Sequence, residues 1–153
     1  MPDAQGALRG AHRKAWGAGL ATSLAAPLLV LALAAGGVLA PGGNLVEGIY
    51  QQLGYTFTGL VFLSAAWAAW HRGRILKAFG GLPAAQRPGF LRREAVRFAA
   101  LAATSALWGA LYWQMVGWHA LRHALTFLLL TPVMFLCFMP GMQVWARAQK
   151  EVP

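Results

Sequence analysis

His119 and His123, four residues apart in the stretch WQMVGWHALRH, are the first candidates for chemistry in this sequence. On a helix that spacing puts both imidazoles on one face. Joined by Glu47 from an earlier connection, they would make a two-His, one-carboxylate set of the kind that holds zinc or iron. A second cluster, His71, Arg72 and Arg74, has the charge to grip a phosphate in a hydrolase or transferase. Serines stand at Ser23, Ser64 and Ser105, yet none shares its depth in an apolar segment with the His, Asp or Lys that a nucleophile needs as its base. A bis-histidine haem requires two axial ligands at one depth, and His71 falls at the opposite end of the apolar segments from His119 and His123. No cofactor is therefore expected from this chain alone, and haem or quinone enters only as a group shared with a partner. Cys137 has no second cysteine for a disulfide or a thiolate metal motif.

Aromatic residues offer a further candidate. Trp108, Tyr112 and Met115, with Leu101, fall on one helical face. Such a ridge either packs, meets lipid, or forms one wall of a groove for a lipid tail, quinone or pigment. Ala99, Ala103, Ala106 and Ala110 make a small-residue stripe on another face, where a neighbouring backbone can approach closely.

The elements that must position these residues follow from composition. The 153 residues are 58% hydrophobic and 11% charged, far from the roughly one-quarter charged content of soluble domains. Four apolar segments, 20–39, 53–70, 98–116 and 120–139, are each near the roughly 20 residues that cross a hydrocarbon core. The expected fold is an all-α integral membrane protein, a compact four-transmembrane-helix bundle with short loops. The first segment exceeds the usual length of a signal-peptide apolar region and is read as a retained helix.

Charge sets the orientation. Of the 13 basic residues, only Arg122, near the start of the fourth segment, lies at the end of the odd-numbered connections. The other twelve lie before the first segment, between the second and third, or after the fourth, which predicts cytoplasmic N and C termini. A net charge of +9 is thereby explained by topology, and nucleic acid is not an expected partner. Residues 1–19 read as a cytoplasmic arm, 20–142 as the membrane domain with a basic cytoplasmic loop at 72–97, and 143–153 as a cytoplasmic tail. In the loop, Gly80 and Gly81 are read as stopping an extended second helix, and Pro88 as opening the third. Arg72, Arg74, Lys77, Arg92, Arg93 and Arg97 would face phospholipid headgroups.

Absences narrow the function. Loops this short leave no room for a nucleotide site, and no GxxxxGK[ST] motif occurs. No ionisable side chain lies near the centre of an apolar segment, as a proton-driven pump acting alone would need. No glycine-rich filter sequence supports a channel. The expected function is a small, non-catalytic integral subunit or assembly partner of a larger bacterial inner-membrane complex, joined to other membrane subunits or to copies of itself. The alternatives are an oligomeric carrier or channel for a small molecule, lipid or quinone, and a membrane enzyme or outer-face metal-binding protein.

Overall fold

Alanine, leucine and glycine dominate the first 35 residues, and the chain is helical almost from its start. A computed structural model describes residues 2–43 and 45–150, with the side chains of 2–5, Glu47 and Lys150 outside the description. The first helix, α1 (Pro2–Ala35), passes through Pro27 without ending. Its terminus is chemical. Gly37 adopts φ 74°, and the amide of Val38 bonds back to the Leu33 carbonyl at 2.9 Å, a glycine-closed helix end. Helix α2 (Glu47–Gly80) ends where the Gly80–Gly81 pair removes side-chain support. A 3-10 turn at Ala84–Gln86 leads into α3 (Arg87–Val116), which carries Pro88 in its first turn, where a missing amide hydrogen costs nothing. A second 3-10 turn, Gly117–Ala120, joins α3 to α4 (Leu121–Phe138), and α5 (Met142–Lys150) follows.

The molecule is an all-α, membrane-spanning helical bundle, but the expected count of four long spans is corrected. Three stretches are long and apolar enough to cross a membrane: Gly6–Ala35, Gly48–Gly80 and Ala84–Gln149. The segments expected at 98–116 and 120–139 belong to the last of these, in which the 18-residue α4 follows the 30-residue α3 through a four-residue helical turn. The dip in hydropathy at WQMVGWHALRH marked a boundary, but backbone hydrogen bonding does not follow hydropathy. The chain tightens there into 3-10 geometry instead of opening into a loop.

The first three helices also overshoot their apolar segments. At 1.5 Å per residue, the 34 residues of α1 and of α2 span about 51 Å each, against a hydrocarbon core of roughly 30 Å. The surplus lies mainly at one end, where the early turns of α1, the last turns of α2, the first turns of α3 and all of α5 gather. Residues 6–19 are thus part of α1. Residues 142–150 are helical as well, and they are seated: Trp145 is fully buried against Phe79 and Phe90, with ring centroids 4.7 and 6.3 Å away. Its indole N–H donates to the Pro140 carbonyl at 2.9 Å, and His12 Nε2 from α1 reaches the same oxygen at 3.2 Å.

Packing is organised around α3 and α4, which lie against one another, with α1 on one side and α2 on the other. Helices α1 and α2 make no substantial contact with each other. Ala99, Ala106 and Ala110 are buried and Ala103 is half-buried, so the small-residue stripe lies mostly inside. Gly19 is a point of close approach of α1 to α3 and α4. A methyl group there would come within 2.5 Å of the Phe135 ring and 3.2 Å of the Ala95 carbonyl.

Candidate functional site

Glu94 is the one acidic side chain described at atomic detail, and it is completely buried. Its helix explains why. Leu91, Ala95 and Phe98 stand one turn before, beside and one turn after it on the inner face of α3, so α3 cannot bury its apolar stripe without burying Glu94 too. Both carboxylate oxygens are held. His71 Nε2 of α2 donates to Oε2 at 2.8 Å, and Arg97 Nη1 donates to Oε1 at 2.6 Å, with Arg93 Nε 3.6 Å from Oε1. The His71 ring is fixed in turn by Trp67, stacked at 4.8 Å and nearly parallel, and by Phe98 at 5.7 Å. An ion removed from water is tolerated only when its lone pairs are matched in this way. The cluster bolts α2 to α3 and leaves Glu94 no unpaired oxygen with which to act as a base.

Sequence reasoning did not find this site. Glu94 sits in LRREAVR among arginines, which reads as a solvated run, and His71 is 23 residues away. The available signal was periodicity: Leu91, Glu94 and Phe98 share a face at spacings of three and four. The cluster expected from His71, Arg72 and Arg74 is split among separate tasks. His71 binds Glu94, Arg72 Nη1 donates to the Cys137 carbonyl at the end of α4 at 3.1 Å, and the Arg74 guanidinium lies 4.8 Å over the Trp70 ring. Among the other expected headgroup contacts, Arg93 lies over Phe90, Arg97 is spent on Glu94, and Lys77 and Arg92 are exposed.

At the opposite end, His119 belongs to the 3-10 turn and His123 to α4. His119 stacks on Tyr50 with centroids 6.1 Å apart, and His123 stands edge-on to Tyr112 at 5.9 Å. The Glu47 side chain lies outside the described residues. Among the described residues, no three of His, Cys, Asp and Glu are grouped to share a metal ion. The tryptophans here fasten backbone: Trp113 Nε1 donates to the Leu39 carbonyl at 3.1 Å, and its ring meets Trp118 edge-on at 5.0 Å. The connection after α1 is docked on this corner, with the Gly42 amide bonded to the Trp113 carbonyl at 3.2 Å. Gly117 has φ 71°, and a methyl on it would strike the Gly42 carbonyl. A methyl on Gly42 would collide with the Gln114 carbonyl. Two backbones touch here because neither carries a side chain.

The aromatic ridge is filled from inside. Phe57 of α2 stacks on Trp108 at 5.5 Å and meets Tyr112 edge-on at 5.8 Å. Tyr112 is buried and its hydroxyl donates to the Tyr50 carbonyl at 2.9 Å, whereas Met115 is exposed. The Trp108 indole nitrogen is buried without a hydrogen-bond partner. Ser105 also joins helices, donating to the Phe127 carbonyl of α4 at 2.7 Å. Thr131 reaches the same oxygen at 3.3 Å, just before Pro132 interrupts the α4 amide ladder. Thr56, Ser64, Thr104 and Thr126 return their hydroxyl hydrogens to their own helices.

Cavities lie between helices. One of about 260 Å³ separates α1 from α4 near Trp113 and Leu125, and another of about 230 Å³ separates α2 from α4 near Phe62 and Cys137. A larger crevice of about 500 Å³ opens between α1 and α3 at the basic end. No known protein-family model, characterised protein or solved structure matches the chain.

Proposed function

We propose that this protein is a small, non-catalytic integral subunit that assembles laterally with other membrane-embedded chains, in a bacterial inner membrane with its basic end toward the cytoplasm. The observation that carries this reading is the division of labour among side chains. Groups with chemical potential, Glu94, His71, Ser105, Tyr112 and Trp145, are engaged in joining helices, while the outward faces of α1 and α2 present large apolar side chains. Leu28, Leu29, Tyr55, Phe62 and Leu63 are each at least 60% exposed. In the most apolar windows of α1 and α2 only 17% and 22% of residues are buried, compared with 39% in the Ala84–Gln149 stretch, so both outer helices have room for a neighbour. Close association of apolar helices in lipid rests on packing, and α1 offers Ala21, Ala25 and Ala32 for it. The bacterial setting rests on arginine outnumbering lysine ten to three, and the orientation on the clustering of basic residues.

Extraction in a mild detergent followed by native mass spectrometry tests the proposal. Defined heteromeric species are expected, with cross-links from α1 to the partner. A solitary monomer with an activity of its own would overturn it.

The apolar cavities beside α4 favour a second reading, a carrier for a quinone or lipid tail. Saturable, ligand-specific flux in liposomes containing only this chain would favour that reading over assembly.

A further inference from the structure

We infer that the crevice between α1 and α3 at the basic end binds the phosphate headgroup of an anionic phospholipid. The helices press together at Gly19 and Ala95. The crevice lies one to two turns beyond that contact, toward the basic end, at about 500 Å³. Its floor is small, with Ala11 and Ala15 from α1 and Pro88 and Gly89 from α3, and each helix sends one cation to its rim, Lys14 from α1 and Arg92 from α3. Neither cation has an ion-pair partner among the described residues. The ion pairs found there all converge on Glu94, whose charge is already matched from within.

Three features together select the ligand. Two unpaired cations facing one cavity repel each other and favour an anion between them. The first turn of the 30-residue α3 opens onto the same space at Pro88 and Gly89, adding the positive end of a helix dipole. Below the rim, Ala21, Ala25 and Leu29 continue the Lys14 and Ala18 face of α1 and are exposed, a track on which acyl chains can lie. A basic pocket between membrane helices at the cytoplasmic boundary suits a phospholipid headgroup. A free anion would use the rim but not the track. This inference does not depend on the subunit assignment, since a lipid site is measured on the purified chain.

Native mass spectrometry of delipidated protein, titrated with phosphatidylglycerol or phosphatidylcholine, provides the test. Preferential retention of phosphatidylglycerol is expected. The double variant Lys14→Gln/Arg92→Gln should weaken it by about tenfold or more. The control Arg9→Gln/Arg147→Gln removes equal charge from exposed positions outside the crevice and should change retention by less than about twofold if binding is local to the crevice. Gly89→Leu keeps both charges and adds bulk at the α3 wall of the crevice. Its added Cβ meets nothing within 4 Å, so the substitution starts in open space, and retention should fall as in the first pair. Equal losses in the two double variants, undiminished retention in Gly89→Leu, or no preference over phosphatidylcholine would each overturn the proposal. Displacement of the lipid by millimolar inorganic phosphate would assign the crevice to a free anion and overturn it as well.

Discussion

Glu94 shows how one polar residue can be fixed by an apolar helix face. With His71 and Arg97 each occupying an oxygen, Glu94→Ala leaves two donors facing a void, whereas Glu94→Gln keeps an acceptor for one of them. We expect the alanine variant to lose about 1–3 kcal/mol, because its donors are only partly exposed and cannot all recover water, and the glutamine variant to lose less. Thermal unfolding in detergent measures both, and equal stability of the alanine variant and the unaltered protein would remove the cluster's structural role. Trp108 should behave oppositely. Its ring stacks on Phe57 but its indole nitrogen has no partner, so Trp108→Phe keeps the stack and deletes an unsatisfied donor. Stability is expected to hold or rise by about 1 kcal/mol; a clear fall in the same assay would show that the nitrogen is satisfied in the membrane.

Among the elements, α5 is the one whose attachment rests on a single large side chain. Trp145 fills the space beside Phe79 and Phe90, so Trp145→Ala should cost about 3–5 kcal/mol locally. Protease cleavage between Gly141 and Lys150 should then become rapid while the rest of the bundle stays intact. Unchanged cleavage would mean that α5 is held elsewhere. Helix extents were partly legible from local chemistry: Gly80–Gly81 stops α2, and Pro88 lies in the first turn of α3. What the chain hid were relations between distant residues. His71 pairs with Glu94 across a turn, the Gly42 backbone rests on Gln114 and Gly117, and Phe57 fills the aromatic ridge. Hydropathy also misjudged the α3–α4 junction, because apolarity reports the preferred solvent of a segment, not the backbone geometry of the connection, which is a 3-10 turn. The spacing of His119 and His123 puts both imidazoles on one helical face, but it does not show that each packs against a different tyrosine.

For the molecule as a whole, the asymmetry of charge is a statement about which end faces the cytoplasm. After Cys137→Ala, single cysteines at Gly43 and Gln86 lie at opposite ends, both exposed. Gly43→Cys should react with an impermeant maleimide in intact cells and Gln86→Cys only after permeabilisation. The reverse pattern would invert the proposed orientation.

The lack of substantial contact between α1 and α2 has a temporal consequence. A chain made from its N-terminus releases both helices before α3 exists, and the surfaces that receive α1 belong to α3 and α4. During synthesis α1 is thus an orphan in the bilayer, with Ser23 and Gly19 facing lipid until more than sixty further residues have been translated. A chain truncated before α3 should be cleared by membrane quality control, and the interval before α3 arrives is when another protein could capture α1 in its place.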